Sequence, residues 1–187
     1  PSTEYTPPNN LSDGNHEIKI RAKDSVGNYS EYGSHIVVID TTAPNIPVPS
    51  TISPTNDKTP TWIWNSVSDA VDYEITLDNV VQGILVQLSQ NTISFTSPEL
   101  LDGIHELKVR SRDSVGNYSD YGTAIVIIDT TSPETPIPYS DSPTQNTRPR
   151  WIWAKITDAV AYEVTLNNVI IDTITSTEFT PNYDLSE

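Results

Sequence analysis

Histidine is the residue type on which catalysis in this chain would most directly depend. The chain has three histidines, and His16 and His105 occupy the same position in two copies of an internal repeat, whereas His35 has no histidine counterpart. A residue copied into each repeat is typical of a structural role. The sequence has no cysteine, and it has no nucleophile, phosphate-binding or metal-hydrolase motif. We therefore predict that the protein is not an enzyme.

Carboxylates are the second group of side chains that could form a functional site. The 187 residues include 25 acidic and 10 basic side chains, which gives a formal net charge of −15. Such a charge repels phosphate backbones and anionic lipid, and no apolar run approaches the roughly 20 residues that span a bilayer. We expect neither nucleic-acid binding nor membrane insertion. Calcium, which prefers oxygen ligands, is the partner that the composition favours.

An internal repeat organises the chain. Residues 13–17 recur at 102–106, and residues 23–30 recur at 112–119, both at an offset of 89. The Trp-Ile-Trp motif at 62–64 recurs at 151–153 with the same offset. Phe95-Thr96 then meets Phe179-Thr180 at an offset of 84, so the last copy is five residues shorter, and we place this loss after Asn168.

The segments of each copy have the patterns of β-strands. Residues 73–77 and 162–166 alternate apolar and polar side chains, and residues 105–111 and 16–22 do the same. Gly27-Asn28 and its copy at 116–117 are turn dipeptides that lead into apolar strands, which predicts a hairpin. Prolines at 47, 49, 136 and 138 predict that the first strand of each copy lies at a sheet edge.

The order of these pieces resembles a fibronectin type III or bacterial immunoglobulin-like repeat of large secreted proteins. The points of resemblance are Trp64 and Trp153, each followed nine residues later by a Tyr-x-Ile or Tyr-x-Val strand, then the Leu-x-Gly-x-His motif at 101–105 and the Asp-Thr-Thr-Ser-Pro ending at 129–133. The resemblance implies an all-β fold of tandem β-sandwiches arranged head to tail. It also implies an extracellular location, on the cell surface or secreted. Members of this family usually have tyrosine where His16 and His105 stand.

This fold would bring acidic residues together where two repeats meet. In a head-to-tail array, the loop after the sixth strand faces the preceding repeat, so the linker at Asp40 should meet the loop that contains Asp113 and Asn117. Calcium takes 6–8 oxygen ligands at about 2.3–2.6 Å. The predicted calcium ligands are Asp13, Asp40, Asp69, Asp102, Asp113, Asp129 and Asp158. The alternative is that these carboxylates cap turns and hydrogen-bond to the backbone.

Exposed tyrosines and asparagines offer two further surface chemistries. Tyrosines beside the hairpin turn, at 29, 32, 118 and 121, could stack on sugars, although packing against the next linker is the favoured interpretation. Three Asn-x-Ser sequences, at 10, 28 and 117, fit the glycosylation pattern, but a Gly-Asn turn explains two of them.

The fold assigns three parts to the chain. Residues 1–44 are the last strands of one repeat, 45–133 a complete repeat, and 134–187 the first strands of a third. The Ser-Thr-Glu-aromatic-Thr-Pro strand occurs at both ends, at 2–7 and 176–181. A clean exchange between chains would need this strand only once, so we expect a segment of a continuous array.

The function that this organisation predicts is mechanical. We expect an extracellular stalk or fibre shaft of an adhesin-like surface protein, whose partners are neighbouring repeats and whose junctions are stiffened by calcium. Two alternatives remain open. One is a filament subunit whose half repeats complete one another between chains. The other is a sugar-binding accessory module of a secreted hydrolase.

Overall fold

The structure is a computed structural model that describes residues 3–86 and 92–185 of the chain. These residues form β-strands, turns and extended segments without a helix, which confirms the all-β prediction. They therefore also contain no helix long and apolar enough to cross a membrane. The chain divides into two compact units, residues 1–130 and 131–187.

The described residues of the first unit contain two groups of strands. A hairpin is followed by the six strands of the complete repeat. The strands are β1 (Gly14–Ile20), β2 (Gly33–Ile39), β3 (Thr61–Asn65), β4 (Asp72–Leu77), β5 (Val80–Val86), β6 (Thr92–Thr96), β7 (Gly103–Arg112) and β8 (Gly122–Ile128). Residues 87–91, between β5 and β6, are where the complete repeat exceeds the last copy in length, and they lie outside the described residues.

The complete repeat is a sandwich of two antiparallel sheets. One sheet pairs β3 with β6, and the other has the order β5-β4-β7-β8. Alternation along β7 puts Leu107, Val109 and Ser111 on the inner face, where each is fully buried. The alternation predicted for residues 105–111 is therefore confirmed, with His105 half-buried.

Aromatic side chains pack within one sheet and between the two sheets. Trp62 stacks on Phe95 with ring centroids 6.3 Å apart, and Trp64 meets Tyr73 edge-on at 5.7 Å. The Tyr73 hydroxyl accepts a hydrogen bond of 2.7 Å from the Val67 amide, and burial raises the pKa of this tyrosine. Tyr73 thus buries its large ring while its hydroxyl keeps a hydrogen-bond partner.

The hairpin of β1 and β2 is a copy of β7 and β8. Gly14 pairs with Ile39 and Ile20 pairs with Gly33, and these are the pairings of β7 with β8 shifted by 89 residues. The turn between β1 and β2 is tightened by a bridge between Lys23 and Tyr29. The predicted hairpin is thus confirmed.

The second unit repeats the beginning of the sandwich. Its strands are β9 (Trp151–Ile152), β10 (Tyr162–Leu166), β11 (Val169–Ile174) and β12 (Glu178–Phe179), with β9 paired to β12 and β10 paired to β11. Trp153 meets Tyr162 edge-on at 5.4 Å, as the equivalent pair does in the complete repeat. Asn167 and Asn168 both have positive φ, which suits the two-residue turn between β10 and β11.

The proline-rich segment before the first tryptophan differs from the prediction. Residues 45–49 form no strand, and regular bridging begins only at Ser50, which pairs with Ile63. Pro47 and Pro49 lack the N–H groups that a ladder needs, so this segment is held by burial instead. Pro47 is fully buried, and its carbonyl oxygen lies against the backbone of Gly122.

This close approach predicts a selective effect of substitution at Gly122. A Cβ at this position would lie 1.8 Å from the Pro47 carbonyl oxygen, so Gly122→Ala forces the two segments apart. We expect a loss of about 1–3 kcal/mol in the free energy of unfolding, measured by urea denaturation of the whole chain.

Gly33 is the matched control, because it occupies the same position in the hairpin of β1 and β2. A Cβ there would have the Ile20 carbonyl oxygen at 3.9 Å as its nearest neighbour. Gly33→Ala should therefore unfold like the unaltered chain. Equal losses in the two variants would contradict the packing of the proline segment against β8.

Candidate functional site

The turn after β7 is built around one buried carboxylate. Asp113 is 2% exposed, and its Oδ1 accepts the amide N–H groups of Val115, Gly116 and Asn117 at 3.0, 2.7 and 2.8 Å. Its Oδ2 accepts the Asn117 side-chain amide at 2.8 Å. Gly116 has a φ of 101°, a conformation that favours glycine. One aspartate thus organises the whole turn.

The charge of Asp113 is matched to these donors. Burial opposes ionisation, but the hydrogen bonds from the side chain and backbone of Asn117, and from the amides of Gly116 and Val115, outweigh it and lower the pKa of the carboxyl. The carboxylate is therefore the form that the turn requires.

Asn117 connects this turn to the linker that precedes the complete repeat. Its side-chain amide donates to the Asp40 carbonyl at 3.1 Å and approaches the Thr42 carbonyl at 3.5 Å. Nearby, the buried Ser111 hydroxyl donates to the Asn45 carbonyl at 2.8 Å. The predicted meeting of the linker with the loop of Asp113 and Asn117 is confirmed.

Asp13 holds the same linker from the side of the first repeat. Its Oδ1 accepts the amide of Thr41 at 3.1 Å and its hydroxyl at 2.7 Å, and its Oδ2 accepts the Thr42 hydroxyl at 2.8 Å. These bonds, led by the Thr41 hydroxyl, lower the pKa of Asp13. Asp40 adds a local turn, since its Oδ1 accepts the Thr42 amide at 3.1 Å.

Both arrangements recur elsewhere in the described residues. Asp102 accepts the amide of Thr130 at 3.1 Å and its hydroxyl at 2.8 Å, as Asp13 does with Thr41. Asp24 organises the turn between β1 and β2, accepting the backbone and side-chain amides of Asn28 at 2.8 Å each, and these bonds lower its pKa. These two local hydrogen-bond arrangements are therefore properties of the repeat.

The seven predicted calcium ligands are distributed unevenly over the chain. Asp13, Asp40 and Asp113 contribute to one junction, and Asp102 lies at the far end of the complete repeat together with Asp129, whose amide donates to the Thr55 carbonyl. Asp69 is exposed on a turn with a φ of 73°, and Asp158 is exposed in the second unit. In residues 3–86 and 92–185, no three acidic or histidine side chains form a group suited to a metal ion. Calcium binding stays a prediction.

A cluster that the sequence interpretation missed lies on the outer face of β4 and β7. The Arg110 guanidinium donates two hydrogen bonds of 3.0 Å to Glu74 and sits 4.1 Å from the ring centroid of Tyr118. Tyr121 donates to Glu74 at 2.6 Å, and the bond from Arg110 is the main cause of the lowered pKa of this glutamate. These contacts join Tyr118 and Tyr121 to charged side chains of their own repeat. Packing of the four tyrosines against a linker stays a prediction.

Histidine takes the place of the tyrosine usual at the start of β7. The His105 Nε2 atom is 2.8 Å from the Leu101 carbonyl and its Nδ1 atom is 2.7 Å from the Asp78 carboxylate. His16 makes the first of these bonds, to the Ser12 carbonyl at 2.7 Å. Both partners of His105 can only accept, so the two bonds need a proton on each nitrogen. The bond to Asp78 is the main reason that the pKa of His105 is raised.

This geometry predicts a stability that falls at higher pH. The raised folded-state pKa means that His105 stabilises the fold fully below its ordinary value of about 6.5, and that this contribution is lost as the pH rises through the raised value. We expect Asp78→Asn to move the His105 titration, followed by NMR, to lower pH. The variant should also flatten the fall in melting temperature between about pH 6 and pH 9, a window that starts near the ordinary pKa and extends above it. An unchanged titration midpoint would contradict the pairing.

Comparison with known proteins agrees with the sandwich architecture. Residues 50–130 match the model of a family described as bacterial Ig-like domain. The complete repeat is thus immunoglobulin-like, as the resemblance implied. No curated protein has significant sequence similarity to the chain.

Three solved structures match the chain at low similarity. They are the central fibronectin-III array of RIM-binding protein (16% identity, TM-score 0.38, 79% of this chain and 55% of that one), a lytic polysaccharide monooxygenase of Jonesia denitrificans (18%, 0.34, 42% and 58%) and fibronectin(III)-like modules of Clostridium thermocellum CbhA (13%, 0.32, 46% and 94%). The match thus spans little more than half of the first two.

Proposed function

We propose that this chain, built on the bacterial Ig-like repeat of residues 50–130, is a structural segment of an extracellular array that acts as a stalk or fibre shaft of an adhesin-like surface protein. The observation that supports the proposal most directly is the contact of Asn117 with the linker, at the Asp40 carbonyl. A loop of the complete repeat is thus hydrogen-bonded to the segment that joins it to the preceding repeat. Such a hydrogen bond limits bending between the repeats, and a shaft requires limited bending.

Residues of both repeats form hydrogen bonds with the linker. The first repeat contributes Asp13, whose carboxylate binds Thr41 and Thr42, and the second repeat contributes Asn117. Pro44, at the centre of the linker, is buried and has a fixed φ. Rotation about the linker therefore breaks several hydrogen bonds at once.

A mechanical role also fits the histidine on which catalysis would have depended. Both ring nitrogens of His105 are bonded within its own repeat, to Asp78 and to the Leu101 carbonyl. The proposal accordingly gives the chain no catalytic activity. The match of the complete repeat to bacterial Ig-like domains supports the extracellular location.

Removing the Asn117 side chain should loosen the junction. Asn117→Ala deletes the bonds to the linker and one bond to Asp113, and we expect a loss of about 1–2 kcal/mol in unfolding free energy. The more specific readout is hydrogen exchange, which should accelerate at the amides of residues 41–46. Solution scattering should show a more flexible particle.

Asn28→Ala is the control for this experiment. Asn28 has the same position in the preceding repeat and bonds to Asp24 in the same way. Its loss should affect the turn between β1 and β2 and leave exchange at residues 41–46 unchanged. The same exchange pattern in the linker for Asn117→Ala and Asn28→Ala would contradict the contact between Asn117 and the linker.

Calcium stiffening is a separate prediction about the same junction. A cation that joins the two repeats would raise the melting temperature by mass action, and Asp40→Asn should weaken this response. The measurement is thermal unfolding and solution scattering, each with calcium and with a chelator. Identical curves in both conditions would reject a calcium site while leaving the hydrogen-bonded junction intact.

A further inference from the structure

One segment of the complete repeat pairs with β8 in a parallel arrangement. The Thr55 amide donates to the Ile127 carbonyl at 3.0 Å, and the Asp129 amide donates to the Thr55 carbonyl at 3.0 Å. The Ser53 hydroxyl oxygen accepts the Ile127 amide, also at 3.0 Å. In the part of the chain that the structure describes, every pair of strands is antiparallel, so this parallel contact is the exception.

The parallel contact joins the segment that enters the repeat to the strand that leaves it. Residues 45–55 lead from the linker into the sandwich, and β8 is the last strand before the next linker. Pro47 lies against Gly122 at the start of β8, and Thr55 pairs with Ile128 at its end. The entering segment therefore contacts β8 at both ends of the strand and runs in the same direction.

Tension along the chain places this contact under shear. A pull draws residues 53–55 towards the preceding repeat and residues 127–129 towards the following one. Because the two segments are parallel, the opposite pulls act at opposite ends of the pair and along it, whereas the hydrogen bonds cross from one segment to the other. The bonds are then stretched together. In an antiparallel pair, the two pulls would act at the same end and open the bonds one after another.

The entering segment is anchored along its length. The Asn45 carbonyl accepts the hydroxyl of the buried Ser111 at 2.8 Å. The amide and carbonyl of Ser50 each form a hydrogen bond of 2.9 Å with Ile63 on β3. Ile128, the partner of the parallel pair on β8, is 1% exposed and belongs to the core. Sliding of the segment along β8 therefore breaks hydrogen bonds and disturbs packed side chains at the same time.

Both sides of the parallel contact belong to the repeated sequence. Ser-Pro-Thr at 53–55 recurs at 142–144, and Ile-Asp-Thr at 128–130 occurs also at 39–41, each at the offset of 89. The contact is therefore written into the repeat itself.

We infer that the three hydrogen bonds between residues 53–55 and 127–129 are the force-bearing contact of the repeat, which sets its rate of unfolding when the chain is pulled from its ends. The biological use of this resistance rests on the proposed role as a stalk or shaft, in which the chain carries tension. Unfolding under force is governed by the unfolding rate and not by the equilibrium stability. The parallel contact is thus distinct from the junction of Asn117, which limits bending between repeats.

The first test compares two pulling directions by constant-force unfolding of the whole 187-residue chain. Handles at the two chain ends load the parallel contact in shear. Unfolding of the complete repeat is recognised by the release of residues 45–130, about 300 Å at about 3.5 Å for each residue. Handles on cysteines introduced by Asn56→Cys and Ser132→Cys, in a chain without cysteine, pull from one end of the pair and open it bond by bond. At equal force, we expect unfolding to be at least about tenfold slower in shear.

The second test removes single hydrogen bonds of the contact while the chain is pulled from its ends. Thr55→Pro lacks the amide that donates to Ile127, and it also loses the hydroxyl that accepts the Asp57 amide. Thr55→Val is the matched control, because it loses only the hydroxyl. We expect Thr55→Pro to unfold at least about threefold faster than Thr55→Val at the same force. Ser53→Ala, which removes the acceptor of the Ile127 amide without a change in the backbone, should accelerate unfolding similarly.

A variant away from the contact separates mechanical resistance from stability. Asp78→Asn weakens the pairing with His105, so it should lower the melting temperature at about pH 6 and leave the unfolding rate under force unchanged.

Equal unfolding rates in the two pulling directions would overturn the inference. So would Thr55→Pro and Ser53→Ala chains that unfold under force no faster than Thr55→Val, or an Asp78→Asn chain that unfolds as fast as they do. None of these results bears on the proposed stalk role, which is tested separately by hydrogen exchange at the linker amides.

Discussion

The burial of Trp62 and Trp64 between two sheets is the interaction on which the rest of the complete repeat depends. Each fully buried large apolar side chain contributes about 1.5–3 kcal/mol. Both rings belong to the buried core of the repeat, together with side chains of β4 and β7. The apolar side chains on the inner faces of β4 and β7 are buried because the rings pack against them. In the described residues, the equivalent side chains of the hairpin of β1 and β2 are half-exposed. A sheet buries its apolar face only by packing against a second layer, so a stable core needs two layers.

Several aspartates of the chain accept hydrogen bonds within the fold. Asp13, Asp24, Asp102 and Asp113 each accept hydrogen bonds from amides or hydroxyls of a turn or linker. A carboxylate is suited to this because it only accepts and has two oxygens. The pKa values of Asp13, Asp24 and Asp113 are lowered by these donors. The negative charge therefore stabilises turn geometry as well as keeping the surface hydrophilic.

The junction illustrates how a local device becomes a connection between repeats. Asp113 orders a turn whose residues are adjacent in sequence, and its Oδ2 fixes the side-chain amide of Asn117. The amide then reaches a carbonyl 77 residues earlier in the chain. A rigid turn thus supplies, at little entropic cost, the donor that holds the linker. The outer face of the sheet has its own long-range pair, Arg110 with Glu74, which is braced by Tyr121.

The sequence by itself determined the strands, the hairpin turns, the repeat offset and the sandwich class. It could do so because alternation along residues 73–77 and 105–111, and a turn at Gly116-Asn117, are local patterns that depend on a few neighbouring residues. The expectation that the linker meets the loop of Asn117 also followed from the class of fold. Only the tertiary structure decided that Glu74 pairs with Arg110, that Asp78 pairs with His105, and that residues 45–49 are held by burial without a ladder. Those pairings join residues 27 to 36 positions apart and depend on which strands lie side by side and in what register, which no local pattern specifies.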